Sequence, residues 1–429
     1  MSDVEILRDL ARQYLELCHH PSQQAKRQHW RELNSGSGTG LANGKAQGKG
    51  SGKKVPPAIY IRAFAWDEMP ESRLACQEPL LRRQESFFRQ SLLRGGFGDD
   101  FLFEPWVKLD AVKTLPGKGL WGVETPWHYT EESAADGRGA GKSDPPLKEE
   151  SDIDKLVTPR HRIDEPRTAA DLAKLQEALD GVIPVCVDRA PAWSVWNADL
   201  CSALGELRGI ETIMYDMMDR PAWLHRVLTF MRDGVLKAQQ EAQAAGDWRL
   251  CSQYNQSMAY SLELPDPSDD PAPVARKDLW CFCASQELTL VGPEMWDEFM
   301  LQYQQPIMEQ FGLAAYGCCE DLTRKIPRLR RVKNLRRIAV TPFADVARCA
   351  EQIGGDYVIS YRPSPSDMVG YGFSPERIRT ILRRDFEAMK ANGCVFDITL
   401  KDVQTVQYDQ TRIRNWVAIV REVIGEFWT

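Results

Sequence analysis

The sequence predicts an α/β fold, a (β/α)8 barrel of the TIM type with an N-terminal, partly helical extension and flexible insertions. Two observations lead there. From Val182 onward, short apolar runs alternate with helical segments at the spacing of parallel βαβ units. No Gly-x-Gly-x-x-Gly follows any predicted strand and no Walker-type loop is present, so the usual marks of a nucleotide-binding open sheet are missing. Periodicity alone does not separate the open sheet from the closed barrel. The missing glycine loops favour the barrel.

The elements follow in order. Ser2 with Glu5 three residues on forms a capping box, and Leu7, Leu10, Ala11, Tyr14, Leu17 and Cys18 then keep helical spacing. The Gly/Ser/Lys tract 34–54 reads as a flexible loop that buries nothing, and the polar stretch 131–151 as a surface insertion ordered at its ends. Between them Ile59-Tyr60-Ile61 is a strand, Glu78 to Leu93 a helix, and Phe101 to Val112 one or two strands. Val182 to Val187 is a buried strand, followed by helical segments over 198–217 and 221–245, the second opened by Asp219 and a proline in its first turn. Arg249 to Tyr260 is a strand candidate, 265–277 a Pro/Asp-rich loop and Pro293 to Phe311 a helix. Strands are then expected at 313–318, 335–340, 356–361 and 394–400, with helices at 321–331, 344–353, 374–391 and 411–427. The domain reading is an extension with the first barrel elements over 1–168 and the main barrel over 169–429.

Composition narrows the function classes. The 54 basic residues against 61 acidic ones leave a net charge of −7, which argues against nucleic acid or an anionic membrane as the main partner. No apolar stretch approaches a membrane span, and the N-terminus lacks the basic and apolar regions of a secretory signal. Eleven scattered cysteines then read as reduced thiols in a cytoplasmic protein.

The candidate chemistry lies at strand ends, where α/β barrels place it. The run Leu313 to Glu320 ends in Cys318, Cys319 and Glu320, the best candidates for a soft-metal site or a reactive thiol. Against that stands the commoner fate of a buried cysteine, a small hydrophobe. Asp188 and Arg189, Thr341 and Asp345, Arg362, and Lys401 with Asp402 end other strands and would rim the same mouth of a barrel. Arg189, Arg362 and Lys401 together imply a small anionic organic substrate, with Arg362 suited to a bidentate grip on a carboxylate or phosphate. An ion pair of Arg362 with Asp402 is the alternative. Tyr254 and Asn255 in a polar strand centre, and Trp193 beside Trp196, are further substrate-binding candidates; core packing competes for the tryptophans. Asp397, inside its strand, needs a partner. Cys281-x-Cys283 reads as packing, and six histidines leave little for a His-based centre.

The region 180–429 resembles the uroporphyrinogen decarboxylase-like superfamily of (β/α)8 barrels. That superfamily includes the decarboxylase and the zinc-dependent methyltransferases serving corrinoid proteins or coenzyme M. More distantly the region resembles cobalamin-independent methionine synthase. Arg208-Gly-Ile-Glu211 through Asp219-Arg-Pro221 is similar to the family's RG-x-E … D-x-P-E helix pair. Phe311-Gly-Leu with Tyr316-Gly-Cys-Cys319 stands where the family carries G … H-x-C-G. Tyr316 takes the histidine position, Cys318 the first cysteine and Cys319 the glycine, while Lys401 and Asp402 stand where the later cysteine belongs.

The resemblance implies a methyltransferase moving a methyl group from a small organic substrate to a thiol or corrinoid acceptor. Zinc would be held by Cys318, Cys319 and Glu320, with Cys318 as the active thiol, Cys319 packing, and Lys401 and Asp402 beside it. A corrinoid partner protein and a homodimer belong to the same expectation. Two other readings stay open: a metal-free decarboxylase or lyase, with Arg189 and Arg362 on a carboxylate and Asp402 or Asp345 handling the proton, and a non-catalytic barrel binding a ligand or a corrinoid protein.

Overall fold

Ser2 Oγ accepts the Glu5 N–H at 3.3 Å and Glu5 returns a 2.7 Å bond to the Ser2 N–H, so the first helix, α1 (Asp3–His19), starts where its capping box says. The computed structural model describes residues 2–35, 55–130, 141–253 and 256–428. α1 buries Leu7, Leu10, Ala11, Tyr14 and Cys18, in one cluster with Leu81 and Phe88 of the helix Pro79–Gly95 and Leu175 and Leu179 of the helix Glu165–Leu179. The second helix, α2 (Ser22–Asn34), buries Trp30 and Leu33 among Ala58, Tyr60 and Val358 near the strands' amino ends. It ends on Asn34, which is fully buried. The reading that 34–54 buries nothing therefore fails at its first residue, and 36–54 lies outside the described residues.

Among the described residues, eight strands carry the parallel sheet structure: β1 (Ile59–Ile61) and β2 (Val107–Asp110), then, after a small antiparallel hairpin of β3 (Trp127–Tyr129) and β4 (Gly141–Ser143), β5 (Val185–Asp188), β6 (Trp280–Cys283), β7 (Leu313–Tyr316), β8 (Leu335–Val340), β9 (Val358–Tyr361) and β10 (Val395–Leu400). Six form one curled parallel sheet in the order β1-β10-β9-β8-β7-β6, and β2 pairs with β5 in a separate parallel ladder. The arrangement is that of a TIM-type fold whose ring of hydrogen bonds does not close among the described residues. At β1 the free edge is occupied by side chains: Asp100 Oδ2 accepts the Ile59 N–H at 2.7 Å and Asp99 Oδ2 accepts that of Ile61 at 3.0 Å. Carboxylates on an exposed ladder edge block a further strand.

The second break falls where Arg249–Tyr260 is expected to be a strand. The chain there makes two short helical turns, Leu250–Ser252 and Gln256–Ala259. The Asn34 amide donates to the carbonyls of Ser257 at 2.9 Å and Tyr260 at 2.7 Å, groups a ladder would have needed. The strand β6 is the converse case, absent from the sequence reading. Trp280 and Phe282 share a cluster with Leu313 and Ala315, while Cys281 and Cys283 join the main core, so the alternation is that of a strand buried on both faces.

Smaller differences have local causes. The segment 198–217 splits at Gly209 (φ 86°) into Cys201–Arg208 and Ile210–Asp219, and the buried Arg208 guanidinium closes the bend on Asp216 at 2.6 and 3.0 Å. The helix expected over 321–331 is a single turn, Ile326–Leu329. Of the insertion 131–151, residues 131–140 lie outside the described set, and Leu147 beyond them is 1% exposed, so its carboxyl end is packed.

Alternation sets the two faces of the large sheet. Ile338 and Val340, Ile359 and Tyr361, Ile398 and Leu400 pack into the main core. Their neighbours Arg337, Ser360, Arg362, Asp397, Thr399 and Lys401 fall on the other face by strand geometry and are all buried. Asp397 has the partner its position demands, a buried ion pair with Arg337.

Candidate active site

Cys318 and Cys319 follow β7, Arg362 follows β9 and Lys401 follows β10, so four side chains from three strand ends meet at one end of the parallel sheet. The Lys401 ammonium is the hub. Its Nζ lies 3.0 Å from Cys319 Sγ, 3.3 Å from Cys318 Sγ and 2.7 Å from Asp402 Oδ2, which uses its three donors. The two sulfurs are 3.4 Å apart. Asp402 has a positive φ of 56°, a conformation aspartate tolerates better than most residues. Arg362 donates to the Cys318 carbonyl at 2.6 Å and to Ser360 Oγ at 3.4 Å, and burial holds its guanidinium below the ordinary value.

The backbone that presents the thiols is fixed by Gly317 and Glu320. Gly317 has φ 102°, and a Cβ there would sit 2.7 Å from Leu322 Cδ1 and 2.9 Å from Ala339 Cβ. Only glycine suits that position. Glu320 is 1% exposed, and its carboxylate accepts the N–H groups of Ser285 and Cys318, each at 2.7 Å. Trp296 and Tyr316 converge on Ser285 Oγ at 2.7 and 3.0 Å, and Tyr316 also bonds Gln304 at 2.6 Å. Thr341 donates to the Glu320 carbonyl at 3.2 Å. Replacing Gly317 with alanine should cost about 1–3 kcal/mol of stability through backbone strain. It should also slow alkylation of Cys319; denaturant melts and mass-mapped thiol labelling on one preparation read both effects.

The burial of the two thiols is the reverse of the one expected from the family position, with Cys318 the more buried. Cys318 is buried at 6% exposure, and its contact with Cys319 together with burial pushes its thiol well up. Cys319, the only cysteine that is not buried, is pulled down to about 6. The Cys318 hydrogen bond is the first cause, burial works against it, and the Lys401 ammonium adds to the lowering. The shorter approach to Lys401 and the greater solvent access support the same assignment.

A zinc site needs donors converging on one vacant point. Here Glu320 is turned onto backbone N–H groups of its own loop and of Ser285, and the space between the sulfurs and Asp402 is held by the Lys401 ammonium. Among the described residues no group of three or more His, Cys, Asp and Glu side chains converges as a metal site. The donor set Cys318, Cys319 and Glu320 does not fit zinc in this arrangement.

The remaining sequence candidates separate. Arg189 is held in an ion network by Asp247 and Glu165, both at 2.5 Å. Trp193 is 1% exposed in the main core, with its carbonyl bonded to Gln239, so it lines no mouth. Asp345 caps the helix Val346–Ile353 through the Arg348 N–H. Tyr254 and Asn255 lie outside the described residues. Trp196 stays near the site and Arg62 joins it. Arg62, directly after β1, lays its guanidinium 4.7 Å over the ring of Trp196, which also packs on Phe282 at 4.3 Å. Trp196 and Cys319 both border the cluster containing Cys318. Applying the strand-end rule to Ile59-Tyr60-Ile61 would have found Arg62.

Two cavities border these elements. One of about 640 Å³ is lined by Trp121, Trp127, Trp196, Asn197 and Glu206 and shares Trp196 with the thiol site. The other, of about 490 Å³, lies among Tyr60, Glu104, Lys108, Asp110 and Gln253 and contains none of the thiol-site residues.

No family model matches the sequence. No curated protein matches it either. Among solved structures, the chain is similar to a methyltransferase from Methanosarcina mazei, at 10% identity and a TM-score of 0.46, over 88% of this chain and 96% of that one. A likeness at that identity and score says nothing of activity. Fold and site together define an α/β protein of TIM-type architecture with a thiol–ammonium centre at its strand ends. No helix among the described residues is long and apolar enough to cross a membrane.

Proposed function

We propose that the chain is a transferase, in its specific form a methyltransferase, that uses the Cys319 thiolate as nucleophile toward a small anionic organic substrate. The observation that carries this is the Lys401 ammonium within 3.0 Å of Cys319 Sγ, a cation placed to hold that sulfur ionised. Arg62 and Arg362 add positive charge, and neither guanidinium is bonded to a carboxylate among the described residues. The substrate's anionic group belongs on them. In the covalent step a sulfur–carbon bond forms at the transferred carbon. The bond from that carbon to its leaving atom breaks, and its electron pair departs with the leaving group toward the same cations. Onward transfer to an acceptor that enters the mouth returns the thiolate. A thiol or a corrinoid carried by a partner protein is the acceptor class proposed.

The test uses two alkylating probes that differ in charge. The rate ratio of iodoacetate to iodoacetamide at Cys319 should exceed that of a small free thiol by about tenfold at low ionic strength, and fall toward it as salt is added. Arg62→Gln should lower the ratio while leaving the iodoacetamide rate nearly unchanged. A ratio equal to the free thiol's, insensitive to Arg62→Gln, would remove the anionic-substrate reading.

A further inference from the structure

Adjacent cysteines at a site that needs only one nucleophile call for an explanation. Strand alternation would send neighbouring side chains to opposite faces. Here the chain has left β7 at Tyr316 and turned through Gly317, and both sulfurs face the same ammonium, 3.4 Å from each other. Cys318 has no place in the transfer step. It is buried behind Cys319 and lies within reach of its partner's sulfur.

We propose that Cys319 is also an oxidation site, at which a hydroperoxide is reduced and Cys318 closes a vicinal disulfide that reversibly shuts the centre. The Cys319 thiolate attacks the terminal peroxide oxygen. A sulfur–oxygen bond forms, the oxygen–oxygen bond breaks, and its electron pair leaves as alkoxide or hydroxide, which takes a proton from solvent. The sulfur is oxidised by two electrons to the sulfenic acid and the peroxide is reduced to alcohol or water. Cys318 then attacks that sulfur. The disulfide forms, the sulfur–oxygen bond breaks, and the hydroxide leaves with the Cys318 proton as water. The sum is two thiols and one hydroperoxide giving a disulfide, an alcohol and water.

Three features of the site suit this chemistry. Cys319 is reachable from solvent, whereas the other ten cysteines are buried. The nucleophile has a cation against it and the resolving sulfur already stands 3.4 Å from it. Adjacent Cα atoms across a trans peptide are roughly 3.8 Å apart, below the usual disulfide range of about 4.4–6.8 Å, so the bridge is strained and easily reduced. A strained, accessible bridge is the labile kind used for switching. Once it forms, no thiolate is left for alkylation or transfer.

The inference rests on the proposed role of Cys319 as the ionised thiol, but not on any substrate. The whole chain is treated with one equivalent of hydrogen peroxide at neutral pH, analysed by intact mass and peptide mapping, then returned to dithiothreitol. Wild type should lose two hydrogens in the peptide holding residues 318 and 319, lose its reactivity to iodoacetamide, and regain it on reduction. Cys318→Ala should instead add oxygen at Cys319, trapped as sulfenic acid by dimedone, and Cys319→Ser should show neither change. Oxygen added to wild type at Cys319 with no bridge would overturn the proposal, as would a bridge elsewhere. The pH profile of iodoacetamide labelling on the same samples separates the two ideas. A Cys319 inflection near that of an ordinary thiol sinks the proposed function, whereas a low inflection without a bridge sinks the switch alone.

Discussion

Replacing Lys401 with methionine should raise the pH inflection of Cys319 alkylation from about 6 toward the ordinary thiol range of roughly 8.5, with the Cys318 hydrogen bond holding part of the lowering. The groups facing that sulfur are Cys318, Lys401 and Asp402, with Arg362 on the Cys318 carbonyl behind them. Methionine keeps the stem's bulk but removes the cation, leaving Asp402 to repel the thiolate. The direction follows from acid dissociation: the thiolate is the reactive form, and a lost cation disfavours it. A full shift to that range would lower the ionised fraction at pH 6 roughly a hundredfold, and a partial shift lowers it less. Intrinsic nucleophilicity rises with pKa and returns about 0.4–0.5 of that loss on the logarithmic scale, so the net loss is at most on the order of tenfold and shrinks as pH rises. Lys401→Arg should restore much of the low inflection, which a purely structural lysine would not require. Coincident profiles for wild type and Lys401→Met would show that the ammonium does not set the thiol's state.

How much of this was legible in the sequence depends on which force decided each element. Strands buried by simple alternation, such as Leu335–Val340, and the long amphipathic helix Thr411–Phe427 fall where apolar spacing puts them. The failures are places where one distant polar group overrides local pattern. Asn34 looks like the start of a polar tract, yet its amide captures the carbonyls of Ser257 and Tyr260 and turns an expected strand into helical turns. Trp280–Cys283 is too short to show a period and reveals itself only by its ladder to β7. At the site, the strand-end rule finds Cys318, Arg362 and Lys401 because position along a strand is local information. It does not say which thiol is buried, that Glu320 turns onto the Ser285 N–H, or that Arg189 is held by Glu165 and Asp247, since each depends on residues from other elements. The family position assigned the active part to Cys318. Burial and the approach of Lys401 favour Cys319.

The largest stability effect should come from Arg337→Met. Arg337 is 2% exposed and Asp397 is fully buried, on strands separated by β9, so the pair bridges the polar face of the sheet beneath the thiol centre. Thr399 Oγ1 donates to the other Asp397 oxygen at 2.5 Å, and Asn34 Oδ1 accepts from Arg337 at 2.5 Å. Removing the guanidinium leaves a carboxylate with one hydroxyl donor and no cation among these partners, for which a cost of about 3–5 kcal/mol is expected. Mass action on a buried acid adds a pH signature. Burial without a cation disfavours the charged form of any carboxylate. The variant's deficit should therefore shrink as pH falls toward the pKa of an unfolded aspartate and be fully present at neutral pH. The double variant Arg337→Met with Asp397→Leu should recover most of the loss, because the desolvation of both charges disappears together. Urea denaturation at pH 5 and pH 7 on the two single variants and the double reads all of this. A Met variant as stable as wild type at pH 7 would mean that water reaches Asp397, and that the polar face of the sheet is solvated in place of being held by the Arg337–Asp397 pair.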